Sequence, residues 1–360
     1  MREDLSRPCL TDLAIEDWGT LADLPHARSF HAKIIRRWVL VRGVRDVDAM
    51  TDLPKGLRAA LAERIDVRRT RLVHQSDSDD GTTKLLLELR DGRTIESVLI
   101  PEGKRLTLCV STQVGCGVRC AFCASGMLGV VRDLSAGEIV EQFLEARAVA
   151  TDADRTITNL VLMGGGEPLN NFENVKVALE TLNHEDGVKF GARRITVSTI
   201  GIPKKIDRLE ELGKQVNLAI SLHAPTETLR GELIPGLDRV PLDDVLAAAQ
   251  RYFTRTGREI TFEYAVLKGV NDSPECAHAL VRRLASVRGN VNLIPWNPVG
   301  DLPFERPDDD AVDRMVAILE GGGIRTTVRR SRGRDIDAAC GQLRRRFPTG
   351  EAVRAADKPD

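Results

Sequence analysis

The chain has 360 residues, 42% of them apolar, with 52 Lys and Arg against 53 Asp and Glu, for a formal net charge of −1. This composition suits a soluble globular protein of one large domain, or one plus a smaller one. No apolar run approaches the roughly 20 residues of a membrane span, and Met1-Arg2-Glu3-Asp4 leads into no secretory h-region, so a cytoplasmic protein without a membrane partner is expected.

Charge is unevenly spread. Arg28 to Arg71 carries twelve Lys/Arg against five Asp/Glu, and Arg325 to Arg346 carries eight Arg against two Asp. Two readings stand: phosphate-binding surfaces, or solvated faces balanced by acidic neighbours.

In chain order, residues 1–80 read as a helical, basic N-terminal accessory domain. Ile34, Ile35 and Trp38 recur at helical spacing, and Leu57, Ala60, Leu61 and Ile65 repeat the pattern over Pro54–Ile65. The polar run Ser76–Gly81 reads as a linker. Over 81–105 a connecting hairpin is expected, with Lys84–Arg90 and Arg93–Ile100 flanking Asp91-Gly92, a dipeptide suited to a type I′ turn. From 106 to 346 strands alternate with helices. The strands are Leu106–Ser111, Ile157–Met163, Ile195–Thr199, Val216–Leu222, Glu259–Leu267, Val291–Pro295 and Ile324–Arg329. Ser135-Ala-Gly-Glu138 is a capping box opening a helix with Ile139, Val140, Phe143 and Leu144 on one side. Further helices are expected over Pro203–Leu212, Leu242–Phe253, Pro274–Val287 and Asp308–Leu319, and residues 347–360 form a tail. The pattern predicts an α/β core, a parallel barrel or doubly wound sheet, and periodicity alone leaves that choice open.

Four of the seven cysteines fall between Cys109 and Cys123, which is no secreted disulfide framework but a metal or redox centre. Cys116, Cys120 and Cys123 follow the first core strand. A structural zinc knuckle asks for four closed ligands, whereas three thiolates on a cubane leave one iron open. The next strand ends in Gly164-Gly-Gly-Glu-Pro168, where glycines permit close backbone approach.

The C-x₃-C-x₂-C spacing, with Phe122 before the third cysteine, resembles the radical S-adenosylmethionine (SAM) superfamily. The resemblance narrows over Met50–Lys55, Cys109–Cys116, Ser221-Leu-His-Ala-Pro225, Val270-Asn-Asp272, Leu293-Ile-Pro-Trp-Asn-Pro298 and Arg332–Leu343, which are similar to the RlmN/Cfr family of RNA methyltransferases. It implies a partial (β/α)6-type barrel with a small helical N-terminal domain. It also implies a [4Fe–4S] cluster on Cys116, Cys120 and Cys123, and SAM bound by Gly166, Glu167, Ser198, Ser221, Leu222, His223 and Asn297. Cys340 would carry a methyl group, Cys109 would be its disulfide-forming partner and Glu96 the proton acceptor. The implied reaction uses two SAM molecules: one methylates Cys340, and the other yields a 5′-deoxyadenosyl radical that activates that methyl group for addition to adenine C2.

The implied substrates are 23S rRNA at the peptidyl-transferase centre and tRNA beside the anticodon. The implied reductant is a donor such as flavodoxin or ferredoxin, and a monomer is the default. Alternatives are methylation at C8, a non-catalytic zinc-knuckle RNA-binding protein, and a radical SAM enzyme acting on a small molecule. Read without the resemblance, Cys109 and Cys340 are buried free cysteines, Glu96 is an exposed strand carboxylate, and His223 is a satisfied core histidine. The three-glycine turn departs from the commoner Gly-Met-Gly, and Ser198–Pro203 and Leu233–Asp238 depart modestly as well.

Overall fold

The structure, a computed structural model, describes residues 7–343 except Leu128, Lys214, Asp238, Arg239, Asp301 and Arg330. The expected tail 347–360 and the Arg344–Arg346 end of the second basic stretch lie outside these residues.

The chain builds one ten-stranded sheet. β1 (Arg71–Asp77), β2 (Thr83–Glu88), β3 (Thr94–Glu102) and β4 (Arg105–Cys109) pair antiparallel in sequence. β5 (Gln113–Gly115) and β6 (Val130–Asp133) leave the sheet to form a two-stranded ribbon bracketing the cysteine loop. β7 (Asn159–Leu162), β8 (Ile195–Thr199), β9 (Asn217–Ser221), β10 (Ile260–Val266), β11 (Gly289–Pro295) and β12 (Thr326–Val328) then follow β4 in parallel order. Crossover helices Ala136–Asp152, Phe172–Asn183, Pro203–Arg208, Leu242–Thr256, Pro274–Leu284 and Asp309–Gly321 join successive parallel strands. This is the expected partial barrel of six β/α units, and it stays open, with β1 and β12 at its edges. The inner parallel strands are rich in apolar residues because helices cover them: Val197, Leu218, Ile220, Tyr264, Val291 and Leu293 are fully buried.

Three local expectations are corrected. Arg71–Asp77 is a strand, not part of a helical region; as a sheet edge it is largely exposed and lacks the alternation that betrays a strand. Ser76–Gly81 is the end of that strand plus a tight turn in which Ser78 N–H donates to the Thr82 carbonyl, so it is no linker. At Asp91-Gly92 only Gly92 takes positive φ, at 75°, which rules out the type I′ turn. Asp91 is held by its carboxylate, which accepts from Arg93 N at 3.1 Å and Arg132 Nε at 2.8 Å.

The N-terminal region packs two short helices, His31–Arg36 and Lys55–Arg64, with several 3₁₀ turns. Trp18, Ile35, Leu40, Met50 and Leu57 join the barrel's own apolar core. Polar contacts complete the junction. Glu141, buried on helix Ala136–Asp152, accepts from Thr11 Oγ1, Arg69 N and Thr70 N at 2.5, 3.1 and 2.6 Å. One turn on, Glu145 pairs with Arg45 and Arg68. Part of the first basic stretch is thereby engaged in ion pairs within the chain, Lys33 and Arg36 also pairing with Asp186 at the surface.

Candidate active site

The loops after the parallel strands converge on one cavity, as strand C-terminal ends do in barrels. Cys116, Cys120 and Cys123 line it together with Gly166, Glu167, Ser198, Ser221, His223 and Cys340. The cysteine loop is held from several sides: Ala121 N donates to the Leu233 carbonyl, Ala124 N to that of Gly341, and Trp296 Nε1 to that of Phe122 at 2.9 Å. Burial pushes the Cys116 thiol up to about 11 and raises those of Cys120 and Cys123. Backbone N–H groups of Val118 and Gly166 act on the Cys116 sulfur, and those of Ser125 and Gly126 on Cys123, in the opposite sense. Such amide donors suit sulfurs that carry negative charge on iron. Among the described residues no three His, Cys, Asp or Glu side chains gather around a single-ion position. Three thiols on one cavity wall, two of them met by backbone N–H groups, make a donor set that an iron–sulfur cluster can use.

The Gly164–Gly166 turn packs against β4 and its extension. A Cβ on Gly164 would meet Ser111 Oγ and the Val110 carbonyl at 2.7 Å, and one on Gly166 would meet Gln113 at 2.7 Å, with φ at +109°. Gly165 has only 3.4 Å contacts and no positive φ, so the middle position alone has room for a side chain. Glu167 is buried, and its two carboxylate oxygens accept from Leu169 N at 3.0 Å and Ile200 N at 2.9 Å. It thereby braces the turn after β8 against its own loop, while burial raises its pKa.

His223, at φ 57°, is buried with Nδ1 accepting from Ala265 N at 2.9 Å. That bond places the proton of the neutral ring on Nε2. Burial, reinforced by Arg230, pushes its pKa down to about 3. It is both a satisfied histidine and a cavity wall, stacked edge-on against Phe122 at 4.8 Å. Leu222 and Asn297 do not line this cavity: the Leu222 side chain belongs to the apolar core, and Asn297 lines an adjoining small cavity with Arg329 and Cys340.

Cys340 sits on a loop clamped by Ser125 Oγ, which donates to the Leu343 carbonyl at 2.7 Å, and by Gln342 Nε2, which donates to that of Pro298 at 2.9 Å. Cys109 lies buried in β4, where Ala338 and Leu343 of this loop pack on it. Burial lifts Cys109 to about 12, with neighbouring Cys340 adding to the rise and Arg329 opposing it. Glu96 is buried rather than exposed: its Oε1 lies 3.2 Å from Lys84 Nζ. It lines a second small cavity that shares Ser125 with the main one.

Several cavity residues were not singled out from the sequence. Arg329, within a stretch that reads as basic surface, turns inward beside Cys340, Cys109 and Glu263. Glu263 sits within a continuous apolar strand and accepts from Asn292 Nδ2 at 2.8 Å. A lone charge in a largely apolar strand is the signal that marks Glu263; nothing in the sequence sets Arg329 apart from its neighbouring arginines.

The radical SAM superfamily model matches residues 110–280, and the ribosomal RNA large subunit methyltransferase N-terminal domain model matches residues 11–67. A protein of Symbiobacterium thermophilum described as "Probable dual-specificity RNA methyltransferase RlmN" is 46% identical over 95% of this chain and 93% of its own length. The "Dual-specificity RNA methyltransferase RlmN" of Marinobacter nauticus is 44% identical over 88% of this chain and 87% of its own. The crystal structure of a radical SAM methyltransferase from Sphaerobacter thermophilus superposes with a TM-score of 0.90 at 46% identity, covering 94% of this chain and 99% of that one. Family models, relatives and fold agree, and the chain belongs to the RlmN family of radical SAM RNA methyltransferases.

Proposed function

We propose that this chain methylates C2 of an adenosine in 23S rRNA, at the peptidyl-transferase centre, and in tRNA, 3′ of the anticodon, with the methyl group carried on Cys340. One observation carries the reading: Cys340 lines the same cavity as the three loop thiols, with a further thiol, Cys109, buried under its loop. Adenine C2 is not nucleophilic, so direct displacement on SAM fails and a carrier is required. The match to the N-terminal domain model and the relatives' description as dual-specificity enzymes support the two RNA substrates.

In this reading Cys116, Cys120 and Cys123 would hold a [4Fe–4S] cluster, with an external donor such as flavodoxin or ferredoxin as reductant. When bound, cluster and SAM would supply one-electron chemistry that activates the methyl group on Cys340 and takes back the unpaired electron left on the RNA adduct. The protein's residues do the rest. Gly166, Glu167, Ser198, Ser221 and His223 shape the SAM site. Cys340 Sγ, its proton given up, attacks the methyl carbon of the first SAM: the S–C bond to Cys340 forms, the methyl–sulfonium bond breaks, and S-adenosylhomocysteine leaves with that electron pair. Glu96 takes the proton of the ring carbon. Cys109 then attacks Cys340 Sγ: the S–S bond forms, the bond to the product breaks, and its electron pair goes to the CH₂ carbon, which is protonated to the methyl group.

The test is nucleoside mass spectrometry of 23S rRNA and tRNA after incubation with cluster-loaded enzyme, SAM and reductant. The expected product is 2-methyladenosine. 8-Methyladenosine would place the chemistry at C8, and unmodified RNA from an active, iron-loaded preparation would contradict the proposal.

A further inference from the structure

The β1–β2 hairpin lies against the loop that carries Cys340. Ser78 Oγ donates to Asp335 Oδ1 at 2.6 Å, Gly333 N to Asp80 Oδ2 at 2.9 Å, and Lys84 Nζ to the Asp337 carbonyl at 3.4 Å. The same Lys84 ammonium stands 3.2 Å from Glu96 Oε1, and the two side chains are only 7% and 6% exposed.

Sheet register produces this convergence. Lys84 pairs with Val98 and Val98 with Cys109, so the three form one row across β2, β3 and β4. Glu96, two residues from Val98, shares its face. Ala338 and Leu343 of the Cys340 loop pack on the Val98–Cys109 part of the row.

A buried ammonium–carboxylate pair is a poor device for stability alone, because desolvation offsets most of its attraction and an apolar pair of similar volume serves as well. Its position between a carboxylate and the Cys340 loop suggests another use. We propose that Lys84 is a positioning residue for methyl transfer: one ammonium sets Glu96 and the Cys340 loop relative to each other. The inference rests on the reading of Glu96 as proton acceptor. When Glu96 takes the proton, the ring C–H bond breaks, its electron pair stays on the adduct, and the carboxylate loses its charge. Of these two contacts Lys84 then retains its full attraction only for the Asp337 carbonyl. The hold on the Cys340 loop thus changes just before Cys109 must reach the Cys340 sulfur.

The test uses the full-length, cluster-loaded enzyme with SAM, reductant and RNA, comparing wild type with Lys84→Met, Lys84→Arg and Glu96→Gln. Three quantities are read: methylation of Cys340 by peptide mass spectrometry, methylated nucleoside, and covalent enzyme–RNA adduct on a denaturing gel. Lys84→Met is expected to carry methyl on Cys340 as wild type does, yet to release about 10²-fold less product, the usual contribution of a positioned base, with the adduct accumulating. Lys84→Arg is expected to recover much of the rate, because it keeps the charge. Product release at the wild-type rate in Lys84→Met, or no recovery in Lys84→Arg, overturns the inference. So does loss of Cys340 methylation in parallel with product, which marks a merely structural role. Should Lys84→Met not fold, Lys84→Gln replaces it under the same criteria. If Glu96→Gln itself turns over normally, the proton-acceptor reading fails, and this inference with it; if Glu96→Gln is impaired and Lys84→Met is not, only the Lys84 inference fails.

Discussion

Gln142 links helix Ala136–Asp152 to the site. It is wholly buried; its Oε1 accepts from Ser97 Oγ and Ser111 N, both at 2.8 Å, and its Nε2 donates to the Ser111 carbonyl at 2.9 Å. Ser111 passes the constraint on, since its Oγ accepts from Gly165 N and donates to the Glu96 carbonyl, both at 2.9 Å. Gln142→Leu keeps the volume but orphans the Ser97 hydroxyl and both backbone groups of Ser111. A buried group left unpaired costs about 1–3 kcal/mol, so with partial relaxation of the hydroxyl the loss should be about 3–5 kcal/mol. Ser111→Ala removes only the hydroxyl and should cost about 1–2 kcal/mol. Urea denaturation of the metal-free chain measures both losses, and equilibrium dialysis of the cluster-loaded variants measures SAM affinity. A Gln142→Leu variant that matches wild type in stability and holds SAM normally would refute the reasoning.

Three further outcomes follow from the same geometry. Gly166→Ala should abolish SAM binding, because of its φ and its contact with Gln113, whereas Gly165→Ala should bind SAM nearly as wild type; equal effects in dialysis would contradict the turn's role. His223 stays neutral down to about pH 3 in the folded state, while its unfolded pKa is about 6.5. Its contribution is therefore intact above about pH 6.5 and is lost as pH falls towards 3. Buried Glu167 and Glu263 have the opposite sign, their pKa values being raised, so the comparison is with His223→Asn, whose oxygen can still accept from Ala265 N. Between pH 6.5 and 5 the wild type should lose about 1.5–2 kcal/mol more than the variant, and equal losses in denaturation curves would contradict the assignment. Glu141→Ala orphans the Arg69 and Thr70 N–H groups and should cost about 2–4 kcal/mol, with faster proteolysis of residues before β1; unchanged cleavage would show that the apolar contacts suffice.

The parts of the fold that were legible in the sequence are local. The Ser135 capping box, the parallel strands and the C-x₃-C-x₂-C loop each depend on neighbouring residues, and each forms where expected. What was not legible depends on partners far along the chain. Helix Ala136–Asp152 shows one apolar stripe, but its polar side, Glu138, Glu141, Gln142 and Glu145, is buried as well. The N-terminal region and β3 supply partners for that side, which periodicity cannot reveal. Arg329 likewise reads as one arginine among many until β12 carries it to the cavity. β1 escaped detection because an exposed edge needs no apolar face. The cluster loop and Cys340 are more than 200 residues apart by number; only the barrel brings them to one cavity.

The most direct test of the account is mass spectrometry of the tryptic peptide Asp335–Arg344 from protein expressed with its cluster intact. The account predicts a mass increase of one methyl group on Cys340. An unmodified Cys340 in cluster-loaded protein, still unmodified after incubation with SAM, would contradict it.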